Sequence, residues 1–224
     1  KSDVATNDYQ DAKDLTMATR KGLVKKTEFE AYNTVLKADG IIAINIRDDD
    51  KLIAVRLSNG DDDILLVSEG GQAIRFNESG VRPMGRATSG VKGMRLAKGD
   101  QVLSMNVAKD DADLFVITDG GYGKRTHISD YPRHGRGGKG VRTIKYTEAK
   151  GTLIAARVVR SNHELVLISA DGTIIRIPVK DVSCMGRSTQ GVRVMNLRQG
   201  DRVSAVARVV ASPSGDTEEE IEAE

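Results

Sequence analysis

One unit of about fifty residues recurs four times along this chain, and this repeat constrains the fold more than any other feature. Each copy contains a glycine in a predicted first turn, and these glycines are spaced by 49, 50 and 51 residues. They are Gly22, Gly71, Gly121 and Gly172. A second glycine recurs with nearly the same spacing, at Gly40, Gly90, Gly140 and Gly191. Two series with one period are typical of a repeat protein, in which several small cores stack side by side.

Each unit is predicted to form four β-strands. A short apolar run leads to the first glycine, which supplies the positive φ of a tight hairpin, and a second strand follows. A loop, the second glycine, a β-rich stretch and a polar turn then precede the last strand. In that last strand of the second unit Leu103, Met105 and Val107 alternate with polar residues, which is the pattern of a half-buried strand. The sequence therefore predicts an all-β, propeller-like array of four-stranded blades over residues 15–210.

Charge divides the chain into three segments. Residues 1–14 are predicted to be a polar linker, and residues 211–224 an acidic, disordered tail. The tail carries six acidic residues and no basic one, so the net charge of +2 leaves +8 on the remainder. An excess of this sign is expected of a surface that meets a polyanion. The sequence has no signal peptide and no apolar run of membrane-spanning length, so we expect a cytoplasmic protein with no membrane partner. The first residue is not methionine, and we expect the chain to be a piece of a longer polypeptide.

The loop from Arg133 to Arg142 is the strongest candidate for binding chemistry. It reads Arg-His-Gly-Arg-Gly-Gly-Lys-Gly-Val-Arg and contains no acidic residue. Glycines let the main chain approach a surface and point amides at an anion, while cationic side chains neutralise phosphates. The predicted phosphate ligands here are Arg133, Arg136, Gly137, Gly138, Lys139, Gly140 and Arg142.

Two nucleotide-binding motifs resemble this loop and are rejected. Residues 135–140 match the dinucleotide pattern GxGxxG, but residues 141–146 continue as a strand instead of starting a helix. A P-loop requires Ser or Thr after the lysine, where Gly140 stands, and glycine where Arg133 stands.

Basic residues recur in phase with both glycines. In units two to four a basic residue stands four positions before the second glycine: Arg86, Arg136 and Arg187. Another basic residue stands two positions after that glycine: Lys92, Arg142 and Arg193. Stacked blades would align these six side chains as a stripe along one edge, which we call the basic rim. A further basic residue follows each first glycine by four positions, and these residues are also predicted phosphate ligands: Lys26, Arg75, Arg125 and Arg176. Unit one departs from the rim pattern, with Leu36 and Ile42 at the matching places.

Other chemistry-bearing residues are predicted to be structural. Three tyrosines align with apolar residues of the other units and are therefore expected to pack: Tyr32, Tyr131 and Tyr146. The three histidines share no repeat position, and with the single cysteine, Cys184, they predict no metal site. One cysteine also excludes an internal disulfide framework. We expect no catalytic residues and no cofactor in this chain.

Several of these residues resemble the C-terminal domain of the DNA gyrase A protein. Residues 136–140 are similar to the gyrase A box, Gln-Arg-Arg-Gly-Gly-Lys-Gly, and residues 84–91 and 185–192 share the string Met-Gly-Arg-x-Thr-x-Gly-Val. Two features depart from the family: His134 and Gly135 replace the Gln-Arg that opens the box, and the box lies in the third unit instead of the first blade. The loop is then a second, auxiliary box. The resemblance implies a β-pinwheel, of which this chain would hold the last four blades and the tail.

The resemblance also implies a function. The family's basic rim wraps duplex DNA and gives direction to ATP-dependent negative supercoiling by a type II DNA topoisomerase. The implied partners are duplex DNA, the rest of gyrase A and the gyrase B protein in an A2B2 heterotetramer, with ATP and Mg²⁺ bound elsewhere.

Three alternatives stay open at this point. The C-terminal domain of the topoisomerase IV A protein is the close one, although its box is usually degenerate. A protein-binding β-propeller is disfavoured by the absence of tryptophan, and a catalytic propeller by the lack of a cluster of acid, base or metal ligands.

Overall fold

The computed structural model describes residues 6, 8–35, 37–211 and 217–220. These residues form four sheets of four strands each, which confirms the predicted all-β array. The strands are β1 (Asp14–Thr19), β2 (Leu23–Glu28), β3 (Leu52–Ser58), β4 (Asp63–Ser68), β5 (Gln72–Asn77), β6 (Val91–Lys92), β7 (Val102–Ala108), β8 (Asp113–Thr118), β9 (Tyr122–His127), β10 (Val141–Arg142), β11 (Leu153–Val159), β12 (Glu164–Ser169), β13 (Ile174–Pro178), β14 (Val192–Arg193), β15 (Val203–Ala211) and β16 (Thr217–Glu220). The 3-10 helices are η1 (Phe29–Tyr32), η2 (Glu78–Gly80), η3 (Ile128–Asp130), η4 (Glu148–Lys150) and η5 (Val179–Asp181). No helix among the described residues is both long and apolar enough to cross a membrane.

Each of the first three blades borrows a strand from the next unit. The strand orders are β3-β1-β2-β6, β10-β5-β4-β7, β11-β8-β9-β14 and β13-β12-β15-β16. The short strands β6, β10 and β14, which follow the second glycines of units two to four, pair with β2, β5 and β9 of the preceding blades. Each blade therefore has four strands as predicted, but in units two to four the strand after the second glycine belongs to the preceding blade. In unit one the described residues form no strand between Gly40 and β3, and β16 completes the fourth blade.

The hydrophobic cores lie between neighbouring blades. The first strands of units two and three, β4 and β8, are buried along their whole length. One cluster joins Ala18 and Val24 of the first blade to Leu66 and Met105 of the second, and similar clusters follow at the next two junctions. Burial on both faces explains why these two strands read as continuous apolar runs and lack the alternation of half-buried strands.

The second glycines allow each loop to lie against the preceding blade. Gly90, Gly140 and Gly191 have φ values of 87°, 73° and 74°. A Cβ atom at Gly140 would stand 2.1 Å from the carbonyl oxygen of Ala73 in β5. The matching distance at Gly90, to the Val24 carbonyl oxygen, is 2.4 Å. This close approach between backbones explains why glycine recurs with the period of the array.

Replacing Gly140 with alanine is expected to lower the free energy of unfolding by at least about 2 kcal/mol, because the methyl group meets backbone and φ is positive. Gly135→Ala is the matched control in the same loop, since a Cβ atom there has no neighbour within 4 Å. We expect the control to change stability by less than about 0.5 kcal/mol. Urea unfolding of both variants measures the difference, and equal stabilities would contradict the packing role of Gly140.

The two termini differ from the predicted boundaries. Strand β1 begins at Asp14, and the ring of Tyr9 lies 5.1 Å from that of Phe29, so part of the predicted linker packs on the first blade. Residues 1–5 and 7 of that linker lie outside the described residues. In the tail, the backbone of β16 pairs with β15, and residues 212–216 and 221–224 lie outside the described residues.

Candidate nucleic-acid interface

In units two to four, the loop before the second glycine lies along one edge of the array against the segment that follows the second glycine of the preceding unit. One backbone hydrogen bond joins the two segments at each junction, and its donor stands five positions after a second glycine. Asn45 donates to the Thr88 carbonyl at 3.0 Å, and Lys145 donates to the Thr189 carbonyl at 3.0 Å. At the middle junction Arg95 donates to the carbonyl of Gly138 at 2.8 Å. The repeated contact gives the loops a common orientation.

Arginine side chains cross from one loop to the next along this edge. The Nη1 atom of Arg136 donates to the Lys92 carbonyl at 3.2 Å, and its Nε atom donates to the Gly80 carbonyl at 2.8 Å. One junction further, Nη1 of Arg187 donates to the Arg142 carbonyl at 3.4 Å. The structure therefore joins these four residues of the basic rim in two pairs, one across the junction of units two and three and one across the junction of units three and four.

Most side chains of the basic rim face solvent. Lys92, Arg136, Arg142 and Arg193 are exposed, as is Lys139 in the predicted box, whereas Arg86 and Arg187 are half-buried. Arg193 lies over the ring of Tyr122, with 5.2 Å between the guanidinium carbon and the ring centroid. Leu36, at the matching place in unit one, lies outside the described residues, and Ile42 is exposed and uncharged.

The glycines of the box position the loop, and the amide of Gly137 is used inside the protein instead of being free for an anion as predicted. The amide of Gly137 donates to the Gly93 carbonyl at 2.6 Å. The carbonyl of Gly138 is used by Arg95, and a Cβ atom at Gly138 would lie 3.4 Å from Ile74. With the tight approach at Gly140, these contacts attach the box to the second blade.

The basic residues after the first glycines lie on the hairpins and not on the rim. The prediction that they bind phosphate is corrected for Lys26, Arg75 and Arg125, which are paired inside the fold, and stays a prediction for Arg176, whose side chain is 55% exposed. Arg75 is 4% exposed, and its Nε atom donates to Asp63 Oδ2 at 2.6 Å. Lys26 is equally buried and lies 3.7 Å from Asp14. Arg125 pairs with Asp113, and the more exposed Arg176 pairs with Glu164. Buried ion pairs of this kind cannot be opened without leaving an uncompensated charge.

A sequence signal for these ion pairs exists and was missed. An acidic residue stands twelve positions before each of the four basic residues: Asp14, Asp63, Asp113 and Glu164. Two positions twelve residues apart are diagonal neighbours across the first hairpin of every blade, as the register Leu65↔Arg75 and Asp63↔Asn77 illustrates. Opposite charges recurring together indicate an internal pair more strongly than a surface for an anion.

Arg133 has a mixed role. Its Nε atom donates to Asp63 Oδ2 at 2.6 Å, so Asp63 accepts from arginines of two units. Burial by itself raises the pKa of Asp63, but the hydrogen bonds from Arg133 and Arg75 outweigh it and the pKa is lowered. The side chain of Arg133 stays 63% exposed, which leaves its guanidinium accessible from solvent.

Two buried lysines that were not predicted from the sequence support the loops of units two and four. Lys124 Nζ donates to the carbonyls of Gly186 and Arg187, both at 2.7 Å. Lys25 Nζ donates in the same way to the Arg86 carbonyl at 2.5 Å. In the second blade the equivalent residue is Ile74, which instead packs under the box. A lysine three positions after the first glycine, in the units that precede the Met-Gly-Arg strings, was the available signal.

These lysines predict a pH dependence of stability. Burial, with a smaller contribution from Arg187, lowers the pKa of Lys124 to about 8 from 10.5. Below pH 8 the Lys124 amine is protonated in both the folded and the unfolded chain, and burial of its charge opposes folding. Between pH 8 and 10.5 the unfolded chain holds the proton more tightly, so stability rises with pH. Lys124→Met is expected to lose the share of this rise that Lys124 contributes, while Lys25, whose pKa burial also lowers to about 8, keeps its own share. Unfolding of both proteins at about pH 7.5 and about pH 9.5 tests it, and parallel changes would contradict it.

Comparison with known proteins supports one family. The family model of the DNA gyrase C-terminal domain, beta-propeller, matches residues 13–59, 62–109, 112–160 and 163–209, which coincide with the four units. The DNA gyrase A protein of Halalkalibacterium halodurans is 54% identical over 211 residues, covering 94% of this chain and 25% of that protein. The chain thus spans about a quarter of the length of the curated relatives it matches.

Solved structures share the fold. The C-terminal domain of DNA topoisomerase IV superposes with a TM-score of 0.84 at 28% identity, covering 92% of this chain and 64% of that one. The DNA gyrase A C-terminal domain gives a TM-score of 0.81 at 27% identity, covering 92% and 68%. The higher identity to gyrase A proteins disfavours the topoisomerase IV alternative. Four blades, the Arg-Gly-Gly-Lys-Gly part of the box and a match to each unit lead to one conclusion: the chain belongs to the DNA gyrase C-terminal domain, beta-propeller family.

Proposed function

We propose that this chain binds duplex DNA along its basic rim and bends the duplex around the array, as part of a gyrase A protein. The observation that carries the proposal is the line of exposed cations across three blades, Lys92, Arg136, Arg142 and Arg193, set by loop-to-loop hydrogen bonds at each junction. Phosphates follow one another along a duplex at regular intervals, so a periodic row of cations suits a backbone better than a compact ligand.

The energetics require many contacts along an arc. Bending 20 to 30 base pairs through 40 to 90° costs on the order of 1 to 6 kcal/mol. Individual phosphate contacts are weak, and a row spread over several blades can offset this cost where one cluster of charges cannot. We assign the contacts to the exposed rim residues with Lys139, Arg133 and the half-buried Arg187. Base-specific readout is not part of the proposal, because strands and loops line this edge in the described part of the chain.

The wider role follows from the relatives that are gyrase A proteins. In that role the chain acts within an A2B2 complex of gyrase A and gyrase B in the cytoplasm, where ATP and Mg²⁺ are bound outside this chain. Its contribution to negative supercoiling is the geometry of the wrapped DNA. The chemistry of strand cleavage belongs to the rest of the enzyme.

A topological assay tests the wrapping. Circular DNA is relaxed by a type I topoisomerase in the presence of increasing amounts of the chain, and the linking number is read after deproteinisation. We expect a positive change that grows with protein, because gyrase activity requires a positive wrap. An unchanged linking number at concentrations where the chain binds DNA would reduce the function to DNA binding, and absence of binding would favour a protein-binding propeller.

A further inference from the structure

Asp113, His127 and Cys184 form a side-chain cluster at the junction of the third and fourth blades, and none of them is among the side chains assigned to DNA. Asp113 opens β8, His127 closes β9, and Cys184 comes from the following unit. His127 Nδ1 lies 2.6 Å from Asp113 Oδ1, and His127 Nε2 lies 3.4 Å from Cys184 Sγ. The three side chains offer ligand atoms that all lie within 4.8 Å of one another.

The neighbouring junction shows what Cys184 replaces. At the second junction the aspartate of the first strand, Asp63, accepts from Arg75 of its own blade and from Arg133 of the next unit. At the third junction Asp113 accepts from Arg125 at 2.6 Å, and Cys184 stands at the repeat position of Arg133. The isolated bridges Arg75↔Arg133 and Arg125↔Cys184 confirm that the two positions are structurally equivalent. The third junction thus has a thiol in place of the cation that links the second one.

The hydrogen bonds define the tautomer of His127. An ionised carboxylate only accepts, so Nδ1 carries the proton and donates it to Asp113, and the lone pair of Nε2 faces Cys184. A histidine oriented by a carboxylate on one nitrogen and open on the other is the usual arrangement of a metal-ligating imidazole. His127 is 59% exposed and Cys184 is exposed, so an ion can enter from solvent.

The distances suit a transition metal. A tetrahedral zinc ion has Zn–S of about 2.3 Å and Zn–N of about 2.0 to 2.1 Å, which places the two ligand atoms about 3.6 Å apart. The Sγ to Nε2 distance is 3.4 Å, so the pair needs little movement to accept the ion. Thiolate and imidazole together favour zinc-class ions over Mg²⁺ or Ca²⁺, which prefer oxygen. The sequence predicted no metal site because the histidines share no repeat position. That argument does not hold for ligands from two different units that meet across a junction.

We propose that Cys184 Sγ and His127 Nε2 bind one zinc-class divalent ion, with Asp113 orienting the imidazole and water completing the coordination. The ion replaces the thiol proton, which leaves to solvent, so one proton is released per ion bound. It joins blade three to unit four, as the Arg133 to Asp63 pair joins blade two to unit three. Arg125 holds the other oxygen of Asp113 and keeps that carboxylate in place as the proton acceptor.

Cobalt provides a direct test, because thiolate bound to Co²⁺ gives a charge-transfer absorption in the near ultraviolet. The reduced chain is titrated with Co²⁺, and Cys184 is its only possible thiolate. We expect one ion per chain, the absorption band, and its displacement by Zn²⁺. Cys184→Ser and His127→Asn should abolish the band, whereas Asp113→Asn should weaken binding about 10- to 100-fold.

His134→Asn is the matched control, an exposed histidine outside the cluster, and should leave the titration unchanged. Because Asp113 also pairs with Arg125, the folding of Asp113→Asn is first checked by circular dichroism. If Asp113→Asn is unfolded, the result for His127→Asn decides whether the imidazole binds the ion. A second readout is the melting temperature, which Zn²⁺ should raise in the parent chain and not in Cys184→Ser. No band, a band that survives His127→Asn, or one ion shared by two chains would overturn the proposal.

Discussion

Raising the salt concentration from about 50 to about 200 mM is expected to lower the affinity for duplex DNA by about 10⁴-fold. The reason is counterion release: a protein that neutralises roughly eight phosphates shows a slope of about −7 in a plot of log affinity against log salt. The side chains to which we assign phosphate contacts, namely the four exposed rim residues with Lys139, Arg133 and Arg187, come close to this number. Fluorescence anisotropy with a labelled duplex of about 30 base pairs measures the slope.

The same titration separates phosphate binding from base readout. Two duplexes of unrelated sequence are expected to give the same slope and affinities within about threefold, because the proposed contacts go to phosphates. A slope between zero and about −2 would contradict a wrapping rim, since so few contacts cannot offset the cost of bending. A strong preference for one sequence would point to groove readout instead.

Replacing Arg136 and Lys139 together with alanine is expected to weaken DNA binding roughly 50- to 100-fold near 0.1 M salt and to reduce the salt slope by about 2, since two phosphate contacts are lost. Both side chains are exposed at the centre of the three-blade line, along the path that we propose for the duplex. DNA bending, measured by energy transfer between dyes at the duplex ends, should fall more than affinity. The reason is that the variant then contacts the DNA only on either side of the box, so the duplex is no longer held at the centre of its bend.

The matched control is the double variant Lys109→Ala and Arg160→Ala, which removes the same charge. These residues lie in the loops that join one unit to the next and are each paired with an aspartate, Asp62 and Asp111. We expect a loss of less than about threefold, from long-range electrostatics alone. Equal losses in the two double variants would show that net charge and not the rim governs binding. Because Arg136 also bonds Gly80 and Lys92, Lys139→Ala alone serves as the test with unaltered loop contacts.

The arrangement of the basic residues shows how far a repeat pattern can be interpreted. The prediction treated every in-phase cation alike, yet the residues near the second glycine line an edge, whereas Lys26, Arg75 and Arg125 form ion pairs within the fold. In-phase spacing establishes equivalence between units but not the direction of a side chain. The in-phase acids were the missing half of that pattern, because a charge that meets a partner across a hairpin is neutralised inside the fold.

The box illustrates the same limit for the main chain. Its glycines were expected to present amides to an anion, and the structure uses them to approach the backbone at Gly93 and Ala73. A glycine is required wherever backbones come close, whether the other partner is a ligand or the protein itself. Only the tertiary structure distinguishes the two cases.

The amino-acid sequence by itself determined the number of units, their boundaries within a few residues, the four strands per blade and the family, because these features recur locally with a fixed period. Tertiary structure alone decided which blade receives each short strand, which cations face solvent, and that Cys184 meets His127 and Asp113. All of these depend on contacts between residues of different units. A periodic sequence looks the same whether a segment completes its own blade or its neighbour's, so only the packing of one unit against the next separates the two arrangements.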